Sequence, residues 1–250
     1  MLSNYPQVEG FINKITADFK NIFGENLVSM YLTGSLSTGS YIEGLSDIDI
    51  IVVVTRKLED NELLSLKIWS SSLLQTEELA SGLDISIVEK RNVRFDPLPK
   101  DDALELFQGE ISYAANALGN SPIVWDQIIK NGLTLFGSEP KEIITDVPWN
   151  IIKEALKSET SAIQERIDSY FNDVKFRYYV VTTLCRITYT VNNKSYASKE
   201  EALHWYLEKY NSHTELINAT IAYLKGDKNP LAAIGVDDYK IFISEVLEVL

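Results

Sequence analysis

The chain has 250 residues, 45% hydrophobic and 24% charged, the composition of a folded protein with room for one large or two ordinary domains; wholesale disorder is excluded. A formal net charge of −13 weighs against a broad electrostatic grip on DNA, RNA or anionic lipid, and a single cysteine, Cys185, excludes an internal disulfide or a cysteine-rich zinc site. The first ten residues lack the basic patch and apolar stretch of a secretory leader, and no apolar run could span a bilayer. A cytoplasmic protein without nucleic-acid or membrane partners is therefore expected, and with no sustained heptad pattern, a monomer.

In chain order, Val8, Phe11, Ile12, Ile15, Phe19, Ile22 and Phe23 recur at helical spacing, with Gly24 as the stop. Residues 27–32 read as a short strand running into Thr33-Gly34-Ser35 and a polar segment to Ser46. Residues 47–54 (DIDIIVVV) read as a buried central strand. A helix is predicted over 59–80, with Leu63, Leu66, Trp69, Leu73 and Leu74 facing inward. Residues 83–88 (LDISIV) alternate as a third strand. Pro97, Pro99, Pro122, Pro140 and Pro148 break the next stretch into what reads as short helices and loops. From Trp149 the pattern is helical: Ile152, Leu156, Ile163 and Ile167 lie on one stripe, Val181, Leu184 and Cys185 on another. Ser198 to Glu201 forms a capping box. The expected class is α+β: a domain over 1–148 with a small mixed sheet flanked by helices, then an all-α bundle over 149–250.

The chemistry is concentrated in Gly34-Ser35, eleven intervening residues, and Asp47-Ile48-Asp49. Strand side chains alternate, so the two aspartates share a face. Adjacent carboxylates repel unless a cation lies between them, and Mg2+ is the common hard partner of carboxylates and phosphates. Asp84, one residue into the third strand with Ser86 on its face, would complete a three-carboxylate group if that strand lies beside the Asp49 strand. Where Gly34-Ser35 turns a strand into a short helix, backbone N–H groups are free and glycine lets a phosphate approach. Such equipment suits phosphoryl or nucleotidyl transfer. His204, His213 and Cys185 read as packing or surface residues, and Tyr170, Phe171, Phe176, Tyr178 and Tyr179 as bundle core.

Gly-Ser followed by Asp-x-Asp, within VSMYLTGSLSTGSYIEGLSDIDIIVVV, resembles the signature of the DNA polymerase β-like nucleotidyltransferases. LDISIV, Phe107-Gln108-Gly109-Glu110-Ile111, GLTLFGSEP as a linker region, and TTLCRITYTVNNKSYASKEEALHWYLEKY extend the resemblance along nearly the whole chain, to the aminoglycoside nucleotidyltransferases that modify streptomycin and spectinomycin. The resemblance implies ATP and Mg2+, and transfer of AMP to a hydroxyl of a cationic small molecule with release of pyrophosphate. It implies that Gly34 and Ser35 hold phosphate, that Asp47 and Asp49 hold metal, and that Asp84 is base or third ligand. Arg186, Lys199 and Tyr223 match nucleotide-side residues. The pattern departs where Asp84 stands for Glu, Ile111 for Trp, and Phe176 for an acidic residue, with Glu110 and Asp173 as candidate substitutes toward the amines. AMP transfer to a protein partner and a non-catalytic nucleotide-binding homologue are the alternatives.

Overall fold

The computed structural model describes residues 4–44, 46–95, 101–144 and 146–250. The chain divides into two compact units, Met1–Pro148 and Trp149–Leu250.

In the first unit, helix α1 (Pro6–Phe23) precedes strand β1 (Leu27–Thr33), a one-turn helix α2 (Gly34–Thr38) and strand β2 (Ile48–Val54). Helix α3 (Asp60–Thr76), strand β3 (Leu83–Glu89), the hairpin β4 (Ala103–Phe107) and β5 (Glu110–Ala114), helix α4 (Pro122–Asn131), strand β6 (Leu133–Gly137) and the short α5 (Pro140–Ile143) follow. The six strands form one mixed sheet in the order β5-β4-β3-β2-β1-β6. Only the central pair, β2 and β3, is parallel; the other pairs are antiparallel.

Alternation sorts the two faces. Met30, Leu32, Ile48, Ile50, Val52, Leu83, Ile85, Ile87, Leu104 and Leu106 face the layer made by α1 and α3 and form one apolar core with Ile12, Ile15, Phe19, Leu66 and Leu73. Each such side chain, fully buried, contributes about 1.5–3 kcal/mol. The opposite face carries Asp49, Asp84, Ser86 and Glu105. Farther along that face Trp125 of α4 packs edge-on to Tyr31, ring centres 5.9 Å apart.

Three strands lie where the prolines predicted short helices and loops. β4 and β5 are five residues each, joined by Gln108-Gly109, both with positive φ (49° and 82°), the conformation of a type I′ hairpin turn. The φ of +82° favours glycine at 109, and a Cβ there would also displace the exposed Leu74 side chain. Leu133–Gly137, expected in a linker, is an edge strand paired with β1. The α3 helix stops at Thr76, before the predicted end, and Leu74 is 41% exposed rather than inward; Ser70 and Glu62 take buried places instead. Glu62 is tolerated there because it closes the helix-start capping box and pairs with Arg56 at 2.9 Å.

The second unit is helical: α6 (Trp149–Tyr170), α7 (Val174–Asn193), α8 (Lys199–Lys209), α9 (Thr214–Leu224), α10 (Asn229–Ala233) and α11 (Val236–Val249). Helix α7 buries Val180, Val181, Leu184, Cys185 and Ile187 among its neighbours. The capping box at Ser198 and Glu201 is formed. Arg177 is buried and donates to the carbonyls of Phe171, Leu231 and Ala232 at 2.5, 3.4 and 2.9 Å, tying the start of α7 to α10. The aromatic set expected in the core is not there: Tyr170 is 54% and Tyr179 37% exposed, and Phe171, Phe176 and Tyr178 are half-buried. Both histidines have carboxylate neighbours that the sequence did not suggest. His213 Nε2 lies 2.8 Å from Glu245, and His204 Nε2 lies 3.9 Å from Glu200.

Candidate active site

The site face is organised by strand register. Thr33, Asp49, Asp84, Phe107 and Glu110 face one another in a single row across five strands. Asp49 and Asp84 are direct partners on the parallel pair, so their side chains rise side by side from the sheet. Asp47 lies just ahead of β2 and is exposed; its Oδ1 is near Gly82, at the entry to β3. The ladder thus begins one residue later than the sequence suggested, and Asp47 flanks the row from the loop.

Gly34 follows Thr33 directly and opens α2. Its φ of +68° suits glycine, and a Cβ there would overlap Asp49 Oδ2, so the turn is pressed against the carboxylate. Ser35 is half-buried in the first turn of α2, where the N–H groups have no intrahelical partners. Ser37 Oγ and Thr38 Oγ1 both donate to Gly34 O, at 2.9 and 3.3 Å, and fasten this short helix to its own start.

Asp84 records the electrostatics of the row. Its carboxyl is pushed up to about 7, first by burial, then by the charges of Asp49, Glu105 and Asp47. Its Oδ1 is buried with no hydrogen-bond partner among the described residues. Thr33 Oγ1, on the other side of Asp49, is buried and unpartnered in the same sense. Unsatisfied buried oxygens flanked by mutually repelling carboxylates are the donor set that a hard cation relieves. Among the described residues no three His, Cys, Asp or Glu side chains already stand at closed metal-site spacing.

Glu110 occupies the end of the row, exposed, two strands from Asp84 and so about 10 Å away along the sheet. Ile111 points to the other face and packs against the core there. In the second unit, Asp173 is the N-cap of α7 and accepts from Lys175 N at 2.9 Å.

The nucleotide-side candidates of the second unit come together. Tyr223 stacks on Tyr178 at 4.8 Å between ring centres, Lys199 Nζ stands over the Tyr178 ring at 5.4 Å, and Lys228 Nζ over Tyr223 at 5.9 Å. Burial pushes the Tyr178 hydroxyl up to about 12, and Arg186 is near enough to act against that rise. Tyr178 and Lys228 were not singled out from sequence: the first read as core, and the second lies in an ordinary polar turn. Glu105 was missed with its strand.

Carboxylates paired by register behind a glycine-opened turn, at one end of a mixed sheet, define the class as a nucleotidyltransferase. Residues 12–109 match the nucleotidyltransferase domain and residues 142–244 the C-terminal domain of aminoglycoside adenylyltransferase, and the chain belongs to the aminoglycoside nucleotidyltransferases. It is similar to spectinomycin 9-adenylyltransferase of Staphylococcus aureus, 27% identical over 199 residues that span 74% of this chain and 73% of the relative. The corresponding Campylobacter jejuni enzyme is 25% identical over 226 residues, 83% and 80% of the two chains. Among solved structures, a spectinomycin adenyltransferase from Enterococcus faecialis with ATP and spectinomycin shares the fold, with a TM-score of 0.68 at 19% identity over 95% of this chain and 97% of that one. Among the described residues no helix is long and apolar enough to cross a membrane.

Proposed function

We propose that the enzyme transfers AMP from ATP to a hydroxyl of an aminocyclitol or aminoglycoside, with spectinomycin the first candidate, and releases pyrophosphate. The observation that carries this reading is the Asp49–Asp84 register pair pressed against the Gly34 turn. The similarity to spectinomycin 9-adenylyltransferases supports the acceptor class.

In this reading residues 1–148 form the catalytic domain. Gly34 and Ser35 hold the triphosphate of the substrate ATP, and Asp47 and Asp49 hold Mg2+ with Asp84 as neighbour. The unpartnered Asp84 Oδ1 and the repulsion within the row are what fit a divalent cation there. When bound, Mg2+ neutralises charge on the phosphates. The acceptor oxygen forms a bond to the α-phosphorus, the bond from that phosphorus to the bridging oxygen breaks, and pyrophosphate leaves. Asp84, raised toward neutrality by burial and its acidic neighbours, takes the proton of the acceptor hydroxyl. Within residues 149–250, the resemblance makes Arg186 and Lys199 phosphate-side residues and Tyr223 a nucleotide-side residue, and Tyr178 stacks on Tyr223. Glu110 attracts the acceptor's amines; Asp173, whose carboxylate already caps α7, is the weaker candidate.

The test is pyrophosphate release with ATP and Mg2+ across spectinomycin, streptomycin and other aminoglycosides, with the product mass checked for one added AMP. Release dependent on spectinomycin is the expected result. Turnover with none of the acceptors, under conditions where ATP binds, would overturn the acceptor assignment.

A further inference from the structure

One acidic residue of the site face has no part in the scheme above. Glu105 lies on β4, in register with Ser86 on β3, one step along the sheet from the Asp49–Asp84 row and on the same face. Both side chains hold a single turn of the chain. Leu118 N donates to Glu105 Oε1 at 3.0 Å, and Gly119 N donates to Ser86 Oγ at 2.9 Å. The turn is clamped from its other side by Trp125, whose Nε1 donates to Gly119 O at 2.8 Å. The Glu105 carboxylate is therefore fixed in place, two residues along the sheet from the Asp84 position and on the same face.

A fixed anion is an odd neighbour for a row that already holds three carboxylates. Its cost is offset if the row carries a cation, because a preorganised negative charge then strengthens cation binding without further rearrangement. Independent of the charges, two buried oxygens flanking Asp49, Thr33 Oγ1 and Asp84 Oδ1, lack hydrogen-bond partners among the described residues, and Thr33 is only 3% exposed. They mark the row as a place where a ligand is accommodated.

We propose that Glu105 is a positioning residue of this site: one carboxylate oxygen anchors the turn at Leu118, while its charge strengthens the hold of Asp47, Asp49 and Asp84 on a divalent cation. The inference rests on the metal-site reading of those three aspartates and adds a fourth, non-ligating carboxylate to it.

The experiment is Mn2+ binding to the full chain, followed by electron paramagnetic resonance of the free ion in the absence of nucleotide. Glu105→Gln keeps an oxygen for the Leu118 N–H and removes the charge; it should bind Mn2+ about tenfold more weakly while the metal-free melting temperature is no lower than that of the unmodified chain. Ser86→Ala removes the neighbouring anchor without altering charge and should bind Mn2+ as the unmodified chain does. Equal affinity in Glu105→Gln would overturn this inference alone, as would an equal loss in Ser86→Ala, which would assign the effect to the turn. Absence of Mn2+ binding by the unmodified chain would overturn the metal reading along with it.

Discussion

Gly34 and Asp49 are packed so closely that the turn has no room for a side chain: a Cβ on Gly34 would come within 2.0 Å of Asp49 Oδ2. The φ of +68° makes alanine unfavourable there even before the clash is counted. Gly34→Ala should destabilise the first unit by about 1–2 kcal/mol from backbone strain. By displacing the Asp49 carboxylate it should lower turnover by about a hundredfold. Thermal unfolding together with pyrophosphate release measures both effects. A variant as active as the parent would show that the turn does not set the position of Asp49.

The raised carboxyl of Asp84 predicts a pH dependence of stability with a definite sign. Its folded value, about 7, lies above the ordinary 3.8, so the folded protein binds the extra proton between these limits. Stability from this group is fully present below pH ~4 and is lost as pH rises toward and through 7. Without divalent cations, Asp84→Asn should therefore raise the melting temperature at pH 7.5 and change it little at pH 4, as differential scanning calorimetry would show. Millimolar Mg2+ should narrow the difference at pH 7.5. A stabilisation by Asp84→Asn that is larger at pH 4 than at pH 7.5 would contradict the assignment of the shift.

How much of this was legible from the residues differs between the two aspartates and the glutamate. DIDIIVVV and LDISIV announce their strands through β-branched runs, and their alternation puts Asp49 and Asp84 on the polar face. That the two strands pair in parallel and in register is a tertiary fact. It depends on α3 returning the chain across the sheet, which periodicity supports but does not fix. Glu105 was hidden because β4 and β5 are five residues each, and their turn, Gln108-Gly109, lacks the Asn-Gly or Asp-Gly signal of a two-residue hairpin. The edge strand β6, LTLFG, is short and half-buried, and the family resemblance puts it in a linker region. In the second unit the aromatic residues at helical spacing imitate a core stripe. The buried place near the start of α7 goes instead to Arg177, whose three carbonyl partners come from sequence positions that no local pattern connects.

Arg177 supplies a stability prediction independent of catalysis. Its guanidinium also lies over the Phe171 ring, 3.9 Å from the centre, so it joins packing to hydrogen bonding. Arg177→Met fills similar space and leaves the carbonyls of Phe171, Leu231 and Ala232 without their donor. The expected cost is about 3 kcal/mol, given that each unsatisfied buried acceptor costs about 1–3 kcal/mol. Urea unfolding followed by circular dichroism would measure it. A loss below about 0.5 kcal/mol, the range of ordinary surface changes, would show that the clamp is dispensable.

The stacked Tyr178 and Tyr223 with Lys199 above them predict a separation of kinetic effects. If this cluster serves the nucleotide, Lys199→Ala should raise the KM for ATP about tenfold, the size of one lost charge-assisted contact, and leave the KM for the acceptor unchanged. Steady-state kinetics with each substrate varied in turn would decide it. A change confined to the acceptor would move the cluster to the other substrate.

Whether Asp47, Asp49 and Asp84 form one catalytic group is decided by AMP transfer in Asp49→Asn. The substitution preserves shape beside Gly34 and Thr33 while removing the charge that register places against Asp84. With ATP, Mg2+ and an accepted acceptor, product formation should fall by at least about a thousandfold while the melting temperature is retained. A folded Asp49→Asn variant that still transfers AMP at a rate near that of the parent would contradict that grouping.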